Sequence, residues 1–176
     1  QAATFSDRGL YLGFRRLAIL DLSPAGHQPM TTPDGRFTIV FNGQIYNFEA
    51  LRADLEARGV RFRSRSDTEV LLELFARDGV SCLPRLNGMF AFAIYDARER
   101  TLVLVRDRLG VKPLFYFRSG RALAFASELG AIRDVPGFPR ELDPIALGAY
   151  FRVGAVPDWT CVYPGVRKLP PGHWIR

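Results

Sequence analysis

Short apolar segments separated by turn residues dominate the middle of this 176-residue chain. Four of them have the length of strands: Met89–Tyr95, Thr101–Val105, Leu114–Phe117 and Ala122–Ala126. The charged stretch Asp96–Arg100 has the composition of a hairpin loop between the first two. The first segment is apolar almost throughout, which is typical of a strand in a sheet that is covered on both faces. The sequence therefore predicts a core of mostly antiparallel sheets.

Three helices are predicted around this β core. An amphipathic pattern over residues 47–58 predicts the first, which Asn47 opens. The string Ser66-Asp67-Thr68-Glu69 fits a capping box for a second helix, which Gly79 ends. Asp143-Pro144 supplies an N-cap residue and a first-turn proline for the third. Helices around antiparallel strands predict an α/β (α+β) fold with layered sheets, built as a single domain over residues 1–176.

Further strands are expected on either side of the central run. Residues 10–21 are strand-like, and a β-branched and aromatic run over residues 37–46 is interrupted by Asn42-Gly43. Three arginines in residues 61–65 alternate with Phe62 and Ser64, which predicts a half-buried strand whose arginines face the solvent. Residues 159–163 also have a strand-like composition.

Composition limits the functional classes. The net charge is +6, but 22 of the 24 cations are arginines spread along the whole chain, which favours solvated faces over a dedicated RNA site. No apolar stretch reaches the ~18 residues of a membrane span. Cys82 and Cys161 form no C-x-x-C pair and are expected to pack as small apolar residues. With only His27 and His173 beside them, we expect no metal site.

Three short features have both a structural and a chemical interpretation. Asn42-Gly43 is typical of a tight β-turn, but an Asn amide and the following N–H also suit an oxyanion hole. Arg16 is either a solvent-exposed residue at the edge of a strand or a residue that binds a carboxylate through its guanidinium group. Asp67 is favoured in the first turn of a helix by the helix dipole, whatever its function, and its carboxylate could equally bind an ammonium group. The residue types alone do not decide between these interpretations.

Taken in order, several strings resemble a known family. They are RRLAILDLS, GHQPM, FNGQIYNFEALRADLEARG, SDTEVLL, LNGMFAFAIYD, RDRLGVKPLFY, FASEL and LPPGH. In this order they resemble the glutamine-hydrolysing domain of asparagine synthetase, a class II glutamine amidotransferase. The resemblance runs from about Gly9 to Arg176.

The resemblance implies a fold and a reaction. The fold is a four-layer α/β/β/α sandwich of the N-terminal-nucleophile hydrolase type. In the reaction, an N-terminal cysteine attacks the glutamine side-chain amide, a thioester forms, and water releases glutamate. The ammonia passes to a C-terminal synthetase domain that activates aspartate with ATP and magnesium. This domain itself is expected to need no cofactor, and the parent enzyme to be a cytoplasmic homodimer without nucleic-acid or membrane partners.

The resemblance also assigns roles to individual residues. Asn42 and Gly43 match the oxyanion-hole pair. Arg16 matches the arginine that binds the α-carboxylate of glutamine, with the Ile19-Leu20 backbone beside it, and Asp67 matches the acid that binds the α-ammonium group. Gln44 stands where the family usually has glutamate. A neutral amide still accepts a hydrogen bond from an ammonium group, but the charge-assisted part, about 1 kcal/mol, is lost.

A second departure concerns the start of the chain. It begins Gln1-Ala2-Ala3, without the CGI-type start and the RGPD-type loop of the family. We therefore expect an asparagine synthetase-like enzyme truncated at both ends, which as this polypeptide does not hydrolyse glutamine. The alternative is a non-catalytic glutamine-sensing or scaffold domain of the same fold. An RNA-binding module is a third hypothesis, based on the sequence pI of about 9.8.

Overall fold

The computed structural model describes residues 2–7, 9–15 and 26–176. Within these ranges the chain forms ten strands, three α-helices and two 3-10 helices. The strands are β1 (Ala2–Asp7), β2 (Leu10–Arg15), β3 (Met30–Thr31), β4 (Phe37–Ile45), β5 (Gly88–Asp96), β6 (Thr101–Arg106), β7 (Phe115–Ser119), β8 (Ala122–Ala126), β9 (Val166–Lys168) and β10 (Trp174–Ile175). The helices are α1 (Phe48–Ala57), α2 (Asp67–Asp78) and α3 (Pro144–Val153), with 3-10 turns at Gly79–Arg85 and Leu129–Ala131.

The described strands form three sheets. β1 and β2 make a two-stranded ribbon, five strands follow the order β10-β6-β5-β4-β3, and three follow the order β8-β7-β9. The pairs β1–β2, β3–β4, β4–β5, β7–β8 and β7–β9 are all antiparallel. The predicted mixed α/β fold with mostly antiparallel sheets is confirmed.

The chain divides into two compact units, residues 1–104 with 175–176 and residues 105–174. In the first unit, α2 contacts β4 and β3, and the rings of Phe37 and Phe75 meet edge to face at 6.2 Å. The β5 face carries the fully buried Phe92 and Ile94. The second unit has its own core, in which Phe117, Phe138, Cys161 and Val166 are buried together with Ile132.

The three predicted helices are present, and their ends follow the expected local chemistry. Ser66 Oγ accepts a hydrogen bond from Glu69 N–H at the start of α2, and Gly79 ends the helix with a positive φ of 57°. Asp143 Oδ1 accepts from Ile145 N–H and Ala146 N–H at the start of α3. These ends were predictable because a cap depends on residues within one turn of it.

Asn47 departs from the predicted pattern. It occupies the N-cap position of α1, but its side chain makes no capping bond. Instead, its Nδ2 donates to Arg85 O and its Oδ1 accepts from Asn87 N–H, both at 3.0 Å. The side chain therefore joins the end of β4 to the segment that precedes β5.

Three strand predictions are wrong. Asn42-Gly43 does not interrupt a strand or form a turn, because both residues lie inside β4 and pair with Ala91 and Phe90 of β5. Residues 61–65 are irregular: their arginines are exposed as expected, but no neighbouring strand pairs with the segment in the described ranges. Residues 159–163 are also irregular, and Cys161 reaches the core of the second unit from a loop. The predicted strand over residues 10–21 is present as β2 up to Arg15, and its remainder lies outside the described residues.

β4 and β5 approach each other closely around two glycines. A Cβ atom at Gly43 would collide with Met89 O and would lie 2.7 Å from Phe90 Cα. A Cβ atom at Gly88 would collide with Gln44 O and would lie 3.0 Å from Ile45 Cα. Both glycines face residues of the partner strand directly, so neither tolerates a side chain without movement of the backbone. This close ladder carries the candidate site.

Candidate active site at the end of β4

The least buried part of β4 holds three of the predicted site residues in succession. Residues 37–41 are buried, whereas Asn42, Gly43 and Gln44 are half-buried, and Ile45 is buried again. Side chains alternate along a strand, so those of Asn42 and Gln44 share one face. The strand thus presents a short polar window in an otherwise apolar ladder.

The direction of the Gly43 N–H follows from the register of the ladder. Tyr46 N–H donates to Asn87 O at 2.7 Å, so this pair exchanges ladder hydrogen bonds, and by alternation the N–H groups of Phe41, Gly43 and Ile45 point away from β5. Phe41 N–H and Ile45 N–H accordingly donate to side chains from elsewhere in the fold. Gly43 N–H lies between them, and within the described part of the chain no residue is seen to accept from it.

Asp67 lies beside this window although it is 22 residues away in sequence. Its Oδ2 accepts a hydrogen bond from Ile45 N–H at 2.9 Å. The residue is the first of α2 and is 5% exposed. Burial raises the pKa of Asp67, while hydrogen bonds from the Ile45 and Thr68 backbone oppose the shift. The structure therefore places Asp67 at the end of the strand that carries Asn42, Gly43 and Gln44.

The first turn of α2 is held in place by a carboxylate that sequence reasoning assigned only to a capping box. Glu69 is 1% exposed, and its side chain does not return to Ser66 N–H as in a standard capping box. It accepts from Arg63 N–H at 2.9 Å and from the N–H and hydroxyl of Ser64 at 2.6 Å each. Glu69 thereby fixes the loop that delivers Asp67 to β4.

One further residue at the site had no predicted role. Gln28, within the GHQPM string, donates from Nε2 to Phe41 O and to Thr68 Oγ1, at 3.2 Å each. It therefore touches both elements that carry the predicted site. The string was a signal for the family, but it did not show what the glutamine contacts. Arg16, Ile19 and Leu20, the remaining predicted substrate-binding residues, lie outside the described residues.

Arg106 and Asp107 of the RDRLGVKPL string bind the backbone of a loop in the second unit. The Arg106 guanidinium donates to the carbonyls of Lys112, Leu169 and Gly110 at 2.7 to 2.9 Å. Asp107 accepts from three backbone N–H groups of residues 109–112. Both charged side chains are buried and bond mainly to backbone groups, and Arg106 also forms an ion pair with Asp158 at 3.3 Å, so in this unit they stabilise the shape of the loop.

The two cysteines are buried, as predicted. Cys82 lies in the 3-10 turn after α2, where burial raises the pKa of its thiol to about 12. A thiol that remains protonated at neutral pH is a poor nucleophile. Among the described residues, no helix is long and apolar enough to cross a membrane.

Comparison with known proteins identifies the family of the chain. The family model described as "Glutamine amidotransferase domain" matches residues 1–176. Asparagine synthetase [glutamine-hydrolyzing] 3 of Bacillus subtilis (strain 168) is 38% identical over 172 residues, which cover 96% of this chain and 28% of the relative. Amidase chry2 of Gibberella zeae is 34% identical over 164 residues, covering 93% and 24%. The chain thus spans about a quarter of the length of the curated relatives it matches.

Solved structures are similar as well. Glutamine phosphoribosylpyrophosphate (PRPP) amidotransferase from B. subtilis, complexed with ADP and GMP, matches with a TM-score of 0.60 and 28% identity, over 69% of this chain and 28% of that one. A structure described as the allosteric regulatory enzyme of purine biosynthesis matches with a TM-score of 0.58. These similarities confirm the predicted fold class of N-terminal-nucleophile type. With the family model matching from end to end, the chain belongs to the glutamine amidotransferase domain family.

Proposed function

We propose that this domain hydrolyses glutamine to glutamate and ammonia at the half-buried segment Asn42–Gln44 near the end of β4. The observation that supports the proposal is the hydrogen bond from Ile45 N–H to Asp67 Oδ2, because it puts a buried carboxylate on the strand that carries Asn42 and Gly43, two residues beyond Gly43. A carboxylate and a pair of amide donors at one place match the two ends of glutamine. The carboxylate suits the α-ammonium group, and the donors suit the oxygen of the side-chain amide.

The amino-acid end of the substrate binds at Asp67 and Gln44 in this proposal. Burial raises the pKa of Asp67, and a bound ammonium group favours the ionised form, so substrate and carboxylate stabilise each other's charge. The Gln44 side-chain oxygen accepts a second hydrogen bond from the ammonium group. Arg16 holds the α-carboxylate, with the Ile19-Leu20 backbone beside it, as the family resemblance implies.

The oxyanion forms between Asn42 and Gly43. When a thiolate attacks the amide carbon, the π electron pair of the carbonyl moves onto the oxygen, and the Asn42 amide and Gly43 N–H donate to that oxygen. The α-amino group of the attacking cysteine, which took up the thiol proton, returns that proton to the leaving nitrogen, so ammonia departs as the carbonyl re-forms in a thioester. Water then cleaves the thioester, which releases glutamate and restores the thiol. The resemblance assigns the thiolate to an N-terminal cysteine. Cys82 and Cys161 are buried in the packing of their units and are not assigned this role.

We further propose that the domain works within a longer cytoplasmic enzyme. The relatives of which it spans about a quarter are named asparagine synthetases [glutamine-hydrolyzing]. The ammonia then goes to a synthetase domain that uses ATP and magnesium to amidate aspartate, and the glutaminase domain needs no cofactor. The apolar surface supports a covering partner, because ten of the twelve large hydrophobic side chains that are exposed among the described residues lie in residues 105–174. That partner is the synthetase domain, in a homodimeric enzyme.

The test measures glutamate and ammonia released from glutamine by the full-length gene product. Replacing Asn42 with Ala removes one oxyanion donor and should lower kcat roughly 10²- to 10³-fold. Asn87→Ala is the matched control, because Asn87 is exposed and its contact with Asn47 uses only its backbone N–H. Glutamine binding by calorimetry without any ammonia release would contradict the enzyme and support the sensing domain, for which Gln44 in place of glutamate is the argument.

A further inference from the structure

Gln28 lies where the pairing of β3 with β4 stops. Met30 pairs with Ile39 and Thr31 pairs with Thr38, so continuing this register would place Gln28 opposite Phe41. β3 begins only at Met30, so this backbone pair between Gln28 and Phe41 is not formed. Within the described ranges, the edge of β4 therefore has no strand partner at Phe41, immediately before Asn42.

The side chain of Gln28 occupies the place of the missing strand. Its Oε1 accepts from Phe41 N–H at 2.6 Å, and its Nε2 donates to Phe41 O at 3.2 Å. A single buried amide thus engages both backbone polar groups of one residue, as a paired strand would. Phe41 O belongs to the peptide group that joins Phe41 to Asn42, so this contact sets the plane of that peptide.

The same amide is connected to the start of α2. Gln28 Nε2 also donates to Thr68 Oγ1 at 3.2 Å, and Thr68 follows Asp67 directly. Asp67 in turn accepts from Ile45 N–H. Side chains therefore form hydrogen bonds with the backbone on both sides of the window of residues 42–44. Gln28 binds the backbone of Phe41, just before the window, and Asp67 binds the N–H of Ile45, just after it.

We propose that Gln28 is a positioning residue for the oxyanion hole, an inference that rests on the proposed glutaminase function. Oxyanion donors act only when they lie within hydrogen-bond distance of the developing charge. By fixing the Phe41–Asn42 peptide, Gln28 directs Asn42 and the Gly43 N–H at that point. The role requires a donor and an acceptor in one side chain of this length. An ionised glutamate offers acceptors only, and methionine offers no comparable donor.

The first experiment compares steady-state glutamine hydrolysis by the full-length gene product and its variants. Gln28→Met should lower kcat roughly 10- to 100-fold, because displacing a catalytic group by about 1 Å can lower the reaction rate about 10²-fold. The KM for glutamine should change less than about 3-fold, since Asp67 and Ile45 keep their contact. A kcat within about 2-fold of the unmodified protein, or a loss confined to KM, would overturn the inference.

Thr38→Val is the matched control for a lost hydrogen bond in the same strand. Thr38 is buried, and its hydroxyl bonds that of Thr31 at 3.1 Å, away from the site. It should leave kcat and KM unchanged. If this variant lowers kcat as much as Gln28→Met does, the effect of Gln28 is general destabilisation and the proposal is wrong.

Gln28→Glu should make kcat depend on pH in a way that a change in packing alone does not produce. The introduced carboxyl donates to Phe41 O only when it is protonated, so the ratio of variant to unmodified kcat should rise as pH falls. A ratio that is constant across pH would count against the proposed hydrogen bond.

Amide hydrogen exchange separates this inference from the proposed function. In Gln28→Met, Phe41 N–H should lose protection while Ile45 N–H keeps it, because only the first donates to Gln28. If the unmodified protein does not hydrolyse glutamine, the proposed function is wrong and the catalytic role of Gln28 falls with it, whatever the exchange shows. If hydrolysis occurs but Phe41 stays protected in the variant, the positioning role alone is wrong.

Discussion

Replacing Gly43 with Ala tests whether the close approach of β4 and β5 is a structural requirement. The new Cβ would meet Met89 O and Phe90 Cα, the latter at 2.7 Å. Both atoms belong to the backbone, so no side-chain rotation relieves the clash. An ordinary carbon–carbon contact is about 3.5 Å, so the strands must separate there by roughly 0.8 Å.

The cost follows from the ladder hydrogen bonds beside the glycine. The pairs Asn42–Ala91 and Gln44–Met89 flank the Gly43–Phe90 pair. Moving a donor and acceptor from about 2.9 Å to about 3.7 Å takes them out of hydrogen-bond range. Each bond contributes about 1 kcal/mol net, so losing two to four of them lowers the free energy of unfolding by about 2 to 4 kcal/mol.

The assay is urea unfolding, with Gly13→Ala as the control. Gly13 lies inside β2, and a Cβ added there would meet nothing within 4 Å, so its substitution should change the free energy of unfolding by less than about 0.5 kcal/mol. Both variants replace a strand glycine by the same residue and differ in the space available. If Gly43→Ala is no less stable than Gly13→Ala, the close approach of β4 and β5 does not contribute to the free energy of unfolding and the reasoning is refuted.

Three further substitutions test the site. Burial raises the pKa of Asp67 in the folded protein above the value of 3.8 in the unfolded chain. The contribution of the Asp67 carboxyl to the free energy of unfolding is therefore complete below pH 3.8 and is lost as pH rises through the folded pKa. In urea unfolding, Asp67→Asn, which retains an acceptor for Ile45 N–H, should therefore gain stability relative to the unmodified protein between about pH 4 and neutral pH; a difference independent of pH would contradict this. Gln44→Glu restores a charge-assisted contact worth about 1 kcal/mol, so calorimetry should show glutamine binding roughly 5-fold tighter, and unchanged or weaker binding would argue against contact with the ammonium group. Glu69→Ala leaves the N–H groups of Arg63 and Ser64 without their acceptor, and thermal unfolding should show a loss of about 3 kcal/mol; a loss below about 1 kcal/mol would mean that water replaces the carboxylate.

Local signals predicted the helices well and the strands less well. The ends of α2 and α3 depend on residues within one turn, and Ser66 and Asp143 cap them as expected. Asn42-Gly43 resembles a turn because both residue types favour turns, yet the nine-residue pairing with β5 keeps the segment extended. Strand formation requires a partner, and the composition of a segment does not show whether a partner lies beside it. Residues 61–65 and 159–163 illustrate the opposite case, with strand-like composition and no strand.

The site shows the same division between local and distant information. The order of strings along the chain was sufficient to indicate the glutamine amidotransferase family and to nominate Asn42, Gly43, Gln44 and Asp67. It did not show that Gln28 contacts Phe41, because that contact depends on the register of β3 with β4 and on β3 beginning at Met30.

By itself the sequence determined the helix boundaries, the antiparallel character of the sheets and the family, because these follow from neighbouring residues and from ordered motifs. Only the tertiary structure decided which side of β4 presents the Gly43 N–H and which side chains, Gln28 and Asp67, hold the ends of its polar window. The physical reason is that hydrogen-bond direction in an antiparallel ladder is set by register with the partner strand, and a local sequence does not contain its partner's register.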